Sequence, residues 1–160
     1  MKFNLFLLIL TSLIAVALGR PDVVTSKIRS DAIGLYWTTP DGVEIDLDSQ
    51  GIKWRLVYLN ENTALISPFE ISPTGSFVQY NGPGERLNIT KVATNSEDFP
   101  PELQWEIKLS PIQITPPRFY ICSKSDLSQS ATAVETGEKK GIVIADNKDP
   151  HGQLWILEAF

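Results

Sequence analysis

From residue 34 onward the chain alternates short apolar bursts with clusters of Pro, Gly, Asn, Asp and Ser, the pattern of strands punctuated by turns. Residues 34–38 form one burst, closed by Thr39-Pro40-Asp41-Gly42. Val43-Glu44-Ile45-Asp46-Leu47 alternates strictly. That predicts a strand with Val43, Ile45 and Leu47 on one face and the acids toward solvent. Ser76-Phe77-Val78-Gln79-Tyr80 runs into Asn81-Gly82-Pro83-Gly84, a strong turn signal. Residues 87–92, 119–122, 131–134 and 142–145 continue the series. Beyond the first 19 residues no amphipathic stretch reaches three helical turns, and 11 prolines interrupt windows that would otherwise suit a helix. The expectation is an all-β chain.

Three further segments share one build: Ile52-Lys53-Trp54-Arg55-Leu56-Val57-Tyr58, Leu103-Gln104-Trp105-Glu106-Ile107-Lys108-Leu109 and Gln153-Leu154-Trp155-Ile156-Leu157-Glu158-Ala159. Each carries a Trp, an aliphatic residue two positions on and another apolar residue two further. A strand sends such side chains to one face. The tryptophans stand 51 and 50 residues apart, and the chain has only 4. Even spacing of so rare a residue predicts three pseudo-repeats, each ending in a Trp-bearing strand. At ordinary strand lengths that is about twelve strands. The insertion Thr94-Asn95-Ser96-Glu97-Asp98-Phe99-Pro100-Pro101 lengthens the middle unit.

The start of the chain has a different character. Met1-Lys2 is followed by residues 5–18, apolar except for Thr11 and Ser12, and then by Ala17-Leu18-Gly19. A basic start, an apolar run and small residues at the cleavage positions make a signal peptide. The run is shorter than the roughly 20 residues a spanning helix needs. Residues 1–19 are therefore expected to be a signal peptide, residues 20–160 the mature domain, and the protein secreted and extracellular. Without Lys2, 13 basic side chains face 19 acidic ones, a net charge of −6. Such a chain has no electrostatic reason to bind nucleic acid or an anionic membrane. One cysteine, Cys122, makes no internal disulfide, so the core must hold without staples. Cys122 lies in an apolar run and is expected to be a buried, inert thiol. With no long apolar edge strand in view, a monomer is expected.

The period, the unit length and the Trp-bearing strands resemble the β-trefoil superfamily, whose members include ricin-B-like lectins and small fungal protease inhibitors. The resemblance spans residues 20–160 and implies three four-stranded units with Trp54, Trp105 and Trp155 in the core. The lectin branch carries Gln-x-Trp in the last strand of a unit. Gln153-Leu154-Trp155 matches it, while Ile52-Lys53-Trp54 and Leu103-Gln104-Trp105 depart from it.

Nothing here predicts catalysis. His151 is the single histidine, 29 residues from Cys122, and no motif of a nucleophile–base pair surrounds either. One His and one Cys do not make a metal site. Asp41, Glu44, Asp46 and Asp48, like Asp146 and Asp149, lack the spacing of a calcium loop. No catalytic residue, metal or cofactor is expected. Asn88-Ile89-Thr90 is an N-glycosylation sequon.

The leading expectation is a secreted, non-enzymatic binding protein that inhibits a protease by presenting a loop. Pro100-Pro101 and Pro116-Pro117 stiffen candidate loops. Arg86, Lys140 and Lys148 are the candidate cations for a trypsin-like pocket. The alternative is a ricin-B-like carbohydrate-binding module whose partner is a glycan. Trp37, Tyr80 and Tyr120 would then supply aromatic platforms, and Asp146, Asn147 and Gln153 the polar contacts. A lipocalin-like barrel around a small apolar ligand fits the length. The spacing of the tryptophans and the lack of an early Gly-x-Trp oppose it.

Overall fold

The computed structural model describes residues 22–69, 75–93, 98–136, 139–147 and 152–159. The expected signal peptide lies outside these residues, as do Lys148 and His151. The chain is all-β. Its strands are β1 (Val23–Ser30), β2 (Tyr36–Thr38), β3 (Asp46–Asp48), β4 (Trp54–Tyr58), β5 (Thr63–Pro68), β6 (Ser76–Gln79), β7 (Asn88–Lys91), β8 (Gln104–Leu109), β9 (Phe119–Ser123), β10 (Gln129–Thr136), β11 (Lys139–Asp146) and β12 (Trp155–Ala159). One short 3-10 turn, Pro101–Leu103, precedes β8.

Six strands pair edge to edge until a ring closes. β1 pairs with β4, β4 with β5, β5 with β8, β8 with β9, β9 with β12, and β12 with β1, all antiparallel. Closure pairs the strand edges that an open sheet would leave free. The other six form hairpins, β2 with β3, β6 with β7 and β10 with β11. The hairpins meet through Gly141 opposite Asp46, Glu44 opposite Asn88 and Arg86 opposite Val143.

Each Trp of the shared motif has the same surroundings. Trp54 lies opposite Ser26 and Pro68, Trp105 opposite Ala64 and Ser123, and Trp155 opposite Phe119 and Ser30. All three are fully buried. Each indole Nε1–H donates to a carbonyl in the first strand of a hairpin: Trp54 to Trp37 at 3.2 Å, Trp105 to Val78 at 3.0 Å, Trp155 to Ala131 at 3.0 Å. Such an acceptor offsets the water that the one polar hydrogen of a buried indole loses. Ile28, Leu56, Ile66, Ile107 and Ile121 pack with them.

Several expectations need correction. Trp37, read as a surface platform for a sugar, is 0% exposed. It meets Trp54 and Trp155 edge-on, with ring centroids 5.8 and 5.3 Å apart. Val43 does not share the face of Ile45 and Leu47: it is 54% exposed while they are buried. The Asp41 carboxylate accepts the Val43 and Glu44 amides at 2.8 and 3.0 Å, so the chain is still turning there. β1 and β5 escaped the pattern altogether. The inward positions of β1 include Ser26 and Ser30, and every residue of β5 is buried, so neither shows apolar–polar alternation. The last position of the Trp motif also diverges, because the strands reach the rim of the ring. Tyr58 is half-buried, whereas Leu109 is 65% exposed.

Candidate functional site

The rim that ends β4 and β8 carries two very different connections. Tyr58 pairs with Ala64, and residues 59–63 join them. Leu109 pairs with Phe119, and residues 110–118 join them. The longer connection reads Ser110-Pro111-Ile112-Gln113-Ile114-Thr115-Pro116-Pro117-Arg118, and residues 111–117 are all exposed. Ile112 and Ile114 are 48% and 43% exposed, beside the exposed Leu109.

This loop is held at its base. The Ser110 amide donates to the Arg118 carbonyl at 2.8 Å, and the buried Ser110 hydroxyl accepts the Ile112 amide at 3.3 Å. The Ile114 amide donates to the Ile112 carbonyl at 3.1 Å, a tight turn with Gln113 at its apex. Arg118 folds inward. Its Nε donates to Asp31 at 2.8 Å with only 12% of the side chain exposed, and its Nη1 reaches the Pro116 carbonyl. Three prolines restrict φ along the stretch. Ile112 and Ile114 on this constrained loop thus keep nearly half of their surface in water.

The cations expected to enter a protease pocket lie elsewhere. Arg86 is not a free loop cation. It pairs with Glu44 at 3.0 Å and with Asp46, and packs against Gly141, where an added Cβ would come within 2.6 Å of its Nη2. Arg86 therefore ties the three hairpins together, and Glu44 and Asp46 are its partners rather than plain solvent-facing acids. Lys140 is exposed on β11 and pairs across the hairpin with Glu135 at 2.9 Å. Lys148 is outside the described residues.

The residues expected to hold a sugar are partly gathered. Asn147 follows β11, donating its side-chain amide to the Leu127 carbonyl at 2.8 Å and lying 4.0 Å from the Cys122 sulfur. Tyr120 lies two residues before Cys122 on the same face of β9, half-buried. Asp146, exposed, accepts the Gln129 amide at 2.5 Å. Gln153 is 1% exposed and spans the Asp146 carbonyl at 2.6 Å and the Thr132 hydroxyl at 3.1 Å, so it supports the end of β11 from beneath instead of meeting a ligand. Tyr80 lies apart from this group, with its amide on the Glu102 carbonyl. Asn88 sits on β7 with its amide oxygen buried.

Chemistry is muted. Burial pushes the Cys122 thiol up, with Glu106 adding to this and Lys108 and Asn147 opposing, the state of an inert thiol. Among the described residues no three His, Cys, Asp or Glu side chains gather as metal ligands. No described helix is long and apolar enough to cross a membrane.

No family model and no curated protein matches the chain. Solved structures share its fold. A salivary protein from Culex quiquefasciatus of the Cysteine and Tryptophan-Rich (CWRC) family superposes with a TM-score of 0.63 at 13% identity, over 88% of this chain and 96% of that one. The lysenin pore gives 0.62 at 15% identity over 86% of this chain, and lysenin in complex with phosphocholine 0.63 at 15% over 89%. The chain spans about half the length of lysenin, 46% and 47% in the two structures. At these identities the likeness is one of fold.

Proposed function

We propose that the protein is a secreted β-trefoil that acts without catalysis, as a protease inhibitor presenting a loop from a rigid barrel. The trefoil reading is supported by the six-stranded ring, the three hairpins and the three equivalent Trp hydrogen bonds. Secretion is supported by the leader-like residues 1–19 and by a fold shared with a salivary protein. The observation that carries the inhibitor reading is the exposed, proline-stiffened 110–118 loop clamped by Arg118 and Ser110. A loop already held in its bound shape loses little entropy on docking. Titration of residues 20–160 against trypsin, chymotrypsin, subtilisin and papain tests it. Inhibition of one enzyme at micromolar protein or below supports the reading, and activity of all four unchanged removes it.

A glycan-binding reading keeps one specific support, Asn147 beside Asp146 at 4.0 Å from the Cys122 sulfur, with Tyr120 on the strand face that Cys122 shares. The burial of Trp37 and Gln153 takes two expected contacts away from it. Binding to a glycan array that free sugar displaces is its test. A lipocalin-like role is opposed by an interior packed with Trp54, Trp105, Trp155 and their aliphatic neighbours.

A further inference from the structure

We infer that the 110–118 loop itself enters the substrate cleft of an endopeptidase whose pockets take branched aliphatic side chains. This rests on the inhibitor reading and specifies its site and target class. The side chains the loop offers outward are Ile112, Gln113 and Ile114, with Leu109 at its foot. Its one cation, Arg118, is turned inward onto Asp31, and Arg86 is bound between Glu44 and Asp46. A pocket lined by a carboxylate for Lys or Arg finds no free partner on this loop. An apolar pocket does, because the fold leaves nearly half of Ile112 and Ile114 in water, and that surface gains from being taken out of it.

Shape agrees with chemistry. The connection at the same place after β4 has five residues, 59–63, and this one has nine, 110–118. Two extra residues in each arm carry the loop on the order of 6 Å further from the rim. Such a projection suits a concave cleft. The clamp by Ser110 and Arg118 and the flanking Pro111, Pro116 and Pro117 keep it from collapsing onto the barrel.

The test compares inhibition constants of residues 20–160 for pancreatic elastase, subtilisin, papain and trypsin, before and after the double substitution Ile112→Asp and Ile114→Asp. Inhibition of at least one of the three enzymes with apolar pockets, and little of trypsin, is expected. The double variant should lose roughly 100-fold in inhibition, the scale of a central contact residue. Its Tm should stay within about 3 °C, because both side chains lie on an exposed loop outside the packed interior. A milder variant, Ile112→Ala with Ile114→Ala, checks the same point without adding charge. Inhibition that survives both variants overturns the loop assignment and leaves the inhibitor reading standing. Preferential inhibition of trypsin overturns the target class alone, and rapid cleavage within 110–118 with no lasting inhibition overturns the inhibitory role by making the loop a substrate. A self-associated dimer that the double variant dissolves assigns the apolar tip to a second copy instead. No inhibition of any enzyme removes both readings together.

Discussion

Residues 59–63 and 110–118 leave the barrel from matching places, four residues after Trp54 and after Trp105, yet they solve the turn in opposite ways. The short connection satisfies itself. Leu59 donates to the Thr63 carbonyl at 2.8 Å, and the Asn60 side chain accepts the amides of Asn62 and Thr63 at 3.2 and 2.9 Å. The Asn62 carbonyl then caps the Ile107 amide at 2.8 Å. The long connection is tied to the barrel near its base, with one tight turn at its tip, and leaves part of Ile112 and Ile114 in water. The short connection thus uses its polar groups on itself and on β8, while the long one leaves apolar surface of Ile112 and Ile114 in water.

Losing the wall beneath both connections should have the largest effect. Trp105 lies between them, opposite Ala64 and Ser123. Trp105→Ala is expected to cost about 3–5 kcal/mol, the range for a buried Trp left as a cavity, read by denaturant unfolding. Arg118→Ala separates the two more selectively. It strips a partner from Asp31 and unclamps the long loop only, at a cost of about 2 kcal/mol, as for a hydrogen bond to a charged group. Limited proteolysis should then cut within 110–118 and leave 59–63 intact. An equal rate of cutting before and after the change would show that Arg118 does not hold the loop.

Asn60→Ala is the matching change in the short connection. It removes the acceptor for Asn62 and Thr63, and about 1 kcal/mol of stability should go with it. Protease inhibition should not move at all. A smaller effect concerns Tyr58, at the head of the short connection. Burial raises its phenol above 10.0. The fold thus favours the neutral form, and that contribution is complete below pH 10 and fades as pH rises through the raised value. Absorbance of phenolate should show Tyr36, Tyr58 and Tyr80 ionising later than a free phenol, and Tyr58→Phe should remove one of these three late steps. Lys140→Ala should do least, less than about 0.5 kcal/mol, since its pair with Glu135 is exposed. A large drop in trypsin inhibition with this variant would restore the cationic reading and weaken the apolar one.

Much of the wall is legible in the amino-acid sequence. Trp54, Trp105 and Trp155 announce buried strands because a large apolar ring recurring at even spacing has few other uses. Strands β2, β4 and β6 to β12 fall on the apolar bursts, with ends shifted by a few residues. β1 and β5 do not, since a strand lined with buried Ser, or covered on both faces, carries no alternation to read. The loop is half legible. Pro116-Pro117 marks it as stiff, but a search for cations passes over Ile112 and Ile114, which look like core residues until they are found at 48% and 43% exposure. Asp41 and Val43 err the other way, because one carboxylate accepting two amides bends a segment that alternation alone would draw as straight.

The sequence by itself determined strand class, the spacing of the tryptophans and the absence of any motif for catalysis, since these depend on local periodicity and residue type. Only the tertiary structure decided which polar groups are consumed by the fold. Arg86, Arg118 and Gln153 read alike as available polar residues along the chain. Their partners, Asp46, Asp31 and Asp146, lie 40, 87 and 7 residues away. The meeting of the hairpins brings Asp46 to Arg86, the ring brings Asp31 to Arg118, and the connection between β11 and β12 brings Asp146 to Gln153. Exposure is decided in the same way, because a side chain two positions further along a strand passes from the packed interior to the rim once the barrel ends.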